Sequence, residues 1–454
     1  MIHKFDMNGV KVVMDIFSGA VHVVDGVLYD IVEAYEAGDR QAVYEAFGAS
    51  YDKKSLDEAM DELDELRKAE MMYTKDEYQP VLGQIAARNP VVKALCLHIA
   101  HDCNLKCVYC FAEEGEYHGH RSLMSAEVGK AAIDFLIANS GSRRNLEVDF
   151  FGGEPLMNFD VVKEIVSYAR SIEAEHNKNF RFTITTNGIL LNDEIQQYIN
   201  ENMHNVVISL DGRKEINDKM RPRAGGQGSY DVIVPKFQKL AESRNQTNYY
   251  IRGTFTRNNL DFMQDVLHMA DLGFKQISVE PVVGQDTDPY AIQKEDLPRI
   301  FAEYEALAAE LYERHKKGGK DDFNFFHFNI DLSGGPCVAK RLTGCGSGTE
   351  YLSVTPEGEL YPCHQFVGLP EFRMGTVFDG IENWDLREKF ASCNVYAKES
   401  CKECWARFYC SGGCAANAYQ LEGDILKPYE VGCEMQRKRV ECAIMIKAKA
   451  LEEA

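Results

Sequence analysis

The run His101-Asp-Cys-Asn-Leu-Lys-Cys-Val-Tyr-Cys-Phe111 sets Cys103, Cys107 and Cys110 at C-x3-C-x2-C spacing, with no fourth cysteine in the loop. Three thiolates this close can share one metal centre. A structural zinc, or a [4Fe–4S] cluster that only carries electrons, normally has four protein ligands. A three-cysteine loop therefore leaves one metal position open for chemistry, although the spacing by itself is also compatible with zinc.

Further along, Cys345 is followed by twelve residues, Gly358, four residues and Cys363. Then come Cys401-x2-Cys404-x5-Cys410-x3-Cys414, and Cys433 after eighteen more. Seven cysteines in this order divide into two interleaved centres, because a C-x2-C pair holds one site and a distant cysteine closes it. A zinc ribbon over Cys401 to Cys414 is the alternative for that stretch alone. Cys96, Cys337, Cys393 and Cys442 fall outside both patterns. Of these, Cys96 reads as a small buried hydrophobe within a strand. His98, His101 and His364 show no ligand spacing and read as structural.

The elements that must position these residues fall into three parts, about 1–90, 91–320 and 321–454. In the first, Val10–Phe17 and Ala20–Val24 read as a hairpin joined by Ser18-Gly19. A helix over Val27–Ala37 follows. Another opens at Ser55 with Glu58 as a capping box, and a short strand over Glu70–Thr74 returns to the hairpin. Strands with three small helices suggest a winged-helix-like module. Residues 1–78 carry eighteen Asp and Glu against eight Lys and Arg, which opposes DNA reading and favours peptide binding at a strand edge or groove.

From 91 to 320 the pattern is strand, loop, helix, six times over. Apolar strands are expected at Ala94–Ala100, Leu146–Phe151, Arg181–Thr186, Val206–Leu210, Tyr249–Thr256 and Gln276–Val283. Helices such as Ala126–Asn139 and Asp160–Glu175 lie between them. The fold class is α/β, a partial (β/α)6 barrel, and sites on such barrels lie at the carboxyl ends of the strands. The cysteine loop follows the first strand. After the second comes Gly152-Gly153-Glu154-Pro155, where glycines allow close backbone approach to a ligand. Glu154 or a backbone carbonyl there can accept from an ammonium group. Thr185-Thr-Asn-Gly188 ends the third strand. Ser209 and Asp211, at i and i+2 at the end of the fourth, suit ribose hydroxyls. Arg252 on the fifth strand suits a carboxylate.

Composition narrows the partners. The chain has 454 residues, 45% hydrophobic and 27% charged, ample for several cores. A formal net charge of −21 argues against nucleic acid or an anionic membrane as partner. The N-terminus shows no signal-peptide pattern, and no run of about eighteen apolar residues occurs, so a cytoplasmic location is expected. Fourteen cysteines in a reducing compartment point to metal or cluster ligation, and to an oxygen-poor cell.

The C-x3-C-x2-C loop and the Gly-Gly-Glu-Pro turn resemble those of the radical S-adenosylmethionine (SAM) enzymes, and the seven later cysteines resemble a SPASM domain. The runs Gly334–Leu352 and Tyr361–Gly368 are similar to maturases of the six-cysteines-in-forty-five (SCIFF) peptides, a resemblance covering nearly the whole chain. It implies a cluster on Cys103, Cys107 and Cys110 whose open iron chelates SAM. Gly152, Gly153 and Glu154 would then hold the methionyl amine, and Tyr109 would lie against adenine. It also implies two auxiliary clusters, one on Cys345, Cys363 and Cys414, the other on Cys401, Cys404, Cys410 and Cys433. Cys337 is available to complete the first; otherwise its open iron takes a substrate thiolate. The implied cofactors are three [4Fe–4S] clusters and SAM. The implied partners are a cysteine-rich precursor peptide with a leader, and a donor such as flavodoxin or ferredoxin. The implied reaction joins a cysteine sulfur to carbon as a thioether, through a 5′-deoxyadenosyl radical. An anaerobic sulfatase-type maturase, oxidising Cys or Ser to formylglycine, is the enzymatic alternative. An iron–sulfur sensor or regulator is the alternative of another class.

Overall fold

The computed structural model describes residues 1–83, 91–332 and 338–452. The chain opens with an antiparallel sheet, β1 (Ile2–Met7), β2 (Val10–Asp15) and β3 (Val21–Val23), followed by α1 (Gly26–Ile31), α2 (Arg40–Phe47) and α3 (Lys53–Lys68). Asn8 and Gly9, both at positive φ, make the turn that pairs β1 with β2. Val13, Leu28, Ile31, Val43, Leu56 and Leu63 form a core of their own. The other sheet face, with Phe5, Val12 and Met14, is buried in the main core. The module is thus a fixed part of the body.

Three local expectations change here. The strand expected over Glu70–Thr74 does not form, because Glu70 and Tyr73 take φ of 58° and cannot extend; β3 is the third strand instead. The helix expected over Val27–Ala37 ends at Ile31. The helix expected to open at Ser55 starts at Lys53, because the Asp52 carboxylate accepts from Ser55 N and caps it.

The central sheet is parallel and partly barrel-like. Its strands and helices run β4 (Ala94–His101), β5 (Ser122–Leu123), α4 (Ala126–Asn139), β6 (Asn145–Gly152), α5 (Phe159–Ile172), β7 (Asn179–Thr186), α6 (Asp193–Asn202), β8 (Asn205–Ser209), α7 (Lys214–Met220), α8 (Tyr230–Ser243), β9 (Tyr249–Phe255), α9 (Phe262–Asp271), β10 (Gln276–Pro281) and α10 (Leu297–Lys317). The six expected strands lie in order β10-β9-β8-β7-β6-β4, all parallel. Every residue of β4 is buried, as a central parallel strand requires.

Two strands that periodicity did not reveal extend this array. β11 (Asn324–Phe325) joins β10 in parallel. After α11 (Val338–Thr343), β12 (Tyr351–Val354) joins β4 in parallel on the other side. From β12 an antiparallel meander continues through β13 (Glu359–Tyr361), β14 (Gly375–Thr376) and β15 (Gly380–Ile381). The chain ends with α12 (Trp384–Ala391), α13 (Glu399–Lys402), α14 (Arg407–Cys410), α15 (Ala415–Glu422) and α16 (Glu430–Glu452). Among the described residues, no helix is long and apolar enough to cross a membrane.

Candidate active site

The cysteine loop leaves the carboxyl end of β4 and folds against the ends of β6 and β7. Gly153 N donates to Ala100 O at 2.8 Å, and Glu154 N donates to Asp102 O at 2.9 Å. A Cβ on Gly153 would lie 2.1 Å from Asp102 O, and one on Gly152 (φ +120°) 2.4 Å from Ala100 O. The close approach of the Ala100–Asp102 backbone therefore requires glycine at both positions.

Glu154 is buried and accepts from Thr186 Oγ1 (2.8 Å), Asn187 N (2.8 Å) and Leu156 N (3.0 Å), tying β6 to the end of β7. Asn187 in turn donates to Asn104 Oδ1 at 2.7 Å and lies 3.7 Å from Cys103 Sγ. Burial pushes the Glu154 carboxyl up to about 7 against those three donors. Its folded value then exceeds the ordinary one, so its stabilising contribution is full below about pH 4.5 and is lost as pH rises toward about 7. Glu154→Gln is expected to flatten that acid-side slope of the thermal midpoint in SAM-free protein; an unchanged slope would refute the assignment.

Cys103, Cys107, Tyr109, Cys110, Gly152, Gly153, Glu154, Ser209 and Arg252 all line one cavity of about 540 Å³. Ser209 and Arg252 are register partners on β8 and β9. Asp211 departs from expectation. It is fully buried behind the cavity wall, where it accepts from Tyr109 OH at 2.7 Å and from Thr254 N at 3.0 Å. It therefore orients Tyr109 and does not reach toward a ligand. The i, i+2 argument fails because β8 stops at Ser209, so strand alternation does not extend to Asp211.

The same cavity is also lined by Cys410, Cys414 and Cys433, from the C-terminal part of the chain. Neighbouring thiols fall into three groups, with Cys393 adjoining both Cys345 and Cys401. Burial pushes Cys103 up to about 12 and Cys107 up to about 11, with Cys110 beside both. Burial likewise raises Cys363, with Cys414 and Cys345 adjacent. Cys401 is pushed up to about 11 beside Cys410 and Cys404, and Cys433 up to about 12 beside Cys410 and Cys401. Cys337 lies outside the described residues.

Sequence reasoning missed several groups, because single polar residues carry no periodic signal. Arg221, largely buried, donates to Tyr109 OH at 2.8 Å, stands near Cys107 and leaves Nε without a partner. Glu280 at the end of β10 accepts from Arg439 of α16 at 3.2 Å, and both line the cavity. His364, set aside as structural, also lines it, beside Phe111 and Phe151. Burial holds His364 neutral, at about 4.

Residues 97–266 match the Radical SAM superfamily. The chain carries a radical SAM domain. A cysteine-type anaerobic sulfatase-maturating enzyme of Clostridium novyi (strain NT) is 26% identical over 338 residues, spanning 70% of this chain and 86% of that one. The solved structure of native anSMEcpe with bound AdoMet and Cp18Cys peptide matches with a TM-score of 0.66 at 20% identity, covering 79% of this chain and 99% of that one. Streptococcus suis SuiB bound to precursor peptide SuiA matches with a TM-score of 0.52 at 16% identity, covering 92% and 95%. At these identities the two structures speak for the fold. The radical SAM family uses a [4Fe–4S] cluster and SAM.

The donor sets suit such clusters. Each group is made of thiols, and each has a cation beside it: Arg221 near Cys107, Lys398 near Cys401 and Cys414, and Arg437 Nη1 at 3.9 Å from Cys404 Sγ. Arg221 has Asp211 at 3.8 Å and Arg437 has Glu430 and Glu434, whereas Lys398 has no carboxylate partner among the described residues; a metal-bound thiolate would supply that anion. Among the described residues, no three His, Cys, Asp or Glu side chains converge as ligands of one ion would.

Proposed function

We propose that this radical SAM domain belongs to a peptide maturase that joins a cysteine sulfur to a carbon of another residue in a ribosomally made, cysteine-rich precursor. The observation that carries this reading is the shared cavity, which is lined both by the SAM-type cysteine loop and by Cys410, Cys414 and Cys433. When bound, the reduced cluster and SAM supply a 5′-deoxyadenosyl radical able to take a hydrogen atom from unactivated carbon. The chain's own part is to hold and orient. Ser209 and Arg252, which line the cavity, would grip the polar groups of SAM and Tyr109 would lie against its base, with Asp211 and Arg221 holding Tyr109 through its hydroxyl. Forming the C–S bond consumes one C–H and one S–H; one hydrogen atom leaves on 5′-deoxyadenosine, and one proton and one electron are released. A peptide lying in this cavity would have the cluster proposed on the later cysteines beside it as electron acceptor.

The N-terminal module is the proposed leader site. Val24 N bonds Lys11 O and Asp15 N bonds Ala20 O, so His22 is the hydrogen-bonded partner of Val13, and Val21 and Val23 turn their amides to the free edge. A leader adding a strand there would bond those amides. Val23→Pro removes one outward donor and no bond to β2. It is expected to weaken leader binding about threefold to tenfold, read by fluorescence anisotropy; unaltered affinity would move the leader site elsewhere.

A second reading, oxidation of a peptide cysteine to formylglycine, is favoured by the Clostridium novyi relative. One experiment separates the two: anaerobic incubation of reconstituted, reduced protein with SAM and a cysteine-rich precursor, read by mass spectrometry. Loss of two hydrogens with one cysteine no longer alkylatable is the thioether outcome. Loss of the peptide sulfur with gain of an aldehyde is the formylglycine outcome. An unmodified peptide beside abundant 5′-deoxyadenosine would exclude both for that substrate.

A further inference from the structure

Lys398 is a buried cation without a carboxylate. Only 2% of it is exposed, and its ammonium donates to Gly412 O at 2.6 Å. Its other polar neighbour is the Cys393 thiol. Among the described residues no acidic side chain pairs with it; Asp424, the acidic neighbour of Cys393, accepts instead from Leu426 N at 3.0 Å. Its situation differs from that of the other buried cations nearby. Arg407 pairs with Asp76, Arg437 with Glu430 and Glu434, and Arg439 with Glu280.

Taking an ammonium out of water costs several kcal/mol unless an anion lies close. One carbonyl and one thiol do not meet that need, so the compensating charge must come from something the thiols hold. Position identifies it. Gly412 lies between Cys410 of one cysteine set and Cys414 of the other, and Lys398 itself lies three residues before Cys401. Gly412 takes φ +85°, and a Cβ there would stand 3.6 Å from the Lys398 ammonium, so the carbonyl is turned onto the cation by a conformation suited to glycine. The ammonium thus stands among Cys393, Cys401 and Cys414.

We propose that Lys398 is the shared counter-ion of two auxiliary clusters, a positioning residue that raises the reduction potential of both. The proposal rests on the reading that these two cysteine sets hold clusters. Reduction adds negative charge to a cluster, and a fixed cation in a low-dielectric site favours the reduced form. Both clusters are thereby made better acceptors for the electron released when the C–S bond forms.

The test is a potentiometric titration, followed by electron paramagnetic resonance, of reconstituted SAM-free protein carrying Lys398→Met or Lys398→Arg, with iron counted in each. In Lys398→Met both auxiliary signals are expected to develop only at lower potential than in the wild type. The signal of the Cys103, Cys107 and Cys110 cluster should stay in place. Lys398→Arg, which keeps the charge, should restore the auxiliary potentials. Auxiliary iron lost from Lys398→Met and kept in Lys398→Arg would equally support a counter-ion. Unchanged potentials in Lys398→Met, or the same shift or iron loss in both variants, would overturn the proposal. Wild-type protein that binds only one cluster would instead overturn the reading on which it rests.

Discussion

Replacing Cys103, Cys107 and Cys110 together by alanine is expected to abolish SAM cleavage while leaving about two thirds of the iron in place, if three clusters are bound. The reason is local. These three thiols belong to one loop after β4, and the remaining groups are carried by residues 345–433, on other elements. Burial holds Cys103 and Cys107 as thiols until a metal deprotonates them. The triple variant also leaves the supporting frame intact, because Glu154, Thr186 and Asn187 bond one another independently of the sulfurs. Anaerobic assay of 5′-deoxyadenosine together with iron counting checks both halves. Persistent cleavage would place the SAM-binding cluster elsewhere, and loss of all iron would mean that the loop is needed for the whole body to fold.

The barrel was legible because β4 is largely apolar and buried throughout while β6, β7, β8 and β9 bury alternate positions, and helical stretches separate them. β4 and α4 fall where the pattern puts them. The cysteine sets were legible for a different reason: ligand spacing within a short loop survives as a linear signal. What stayed hidden is defined by distant contacts. β11 and β12 are too short for a period to register and exist because β10 and β4 offer them edges. The β1–β2 turn was marked by Asn8-Gly9, a hairpin signal that the reading from Val10 onward passed over. Arg221 and Lys398 look like ordinary surface cations in sequence, and only the packing around them makes them buried partners of thiols.

The long C-terminal helix explains why these parts act as one body. Cys433 lies near the start of α16, Arg437 reaches Cys404, Arg439 reaches Glu280 in the cavity, and Glu441 accepts from His3 of β1 at 3.0 Å. His3 also stacks on Trp405, with ring centroids 3.7 Å apart and planes within 5°. Trp405 lies between Cys404 and Cys410. The N-terminal module and the cysteine-bearing loops are therefore joined directly, through β1, Trp405 and α16.

Asp76→Ala tests that continuity most severely. The Asp76 carboxylate accepts from Tyr396 OH at 2.8 Å and from Arg407 Nη2 at 3.1 Å. Arg407, 3% exposed, lies inside the Cys404–Cys410 loop and is enclosed by Phe17, Tyr396 and Phe408, while its other nitrogen donates to Lys402 O. Removing Asp76 strands a buried guanidinium. The cost is about 3 kcal/mol, the lower end for breaking a buried pair, because Asp76 keeps 19% of its side chain in solvent. The loop that must relax to hydrate Arg407 carries Cys404 and Cys410, so the expected result is a lower thermal midpoint with iron lost first from the Cys401, Cys404, Cys410 and Cys433 set. Asp76→Asn, which keeps one acceptor, should lie between the variant and the wild type. Iron counting and thermal unfolding of the reconstituted protein decide the matter. An Asp76→Ala protein with wild-type midpoint and iron would show that the module and the cysteine loop are independent.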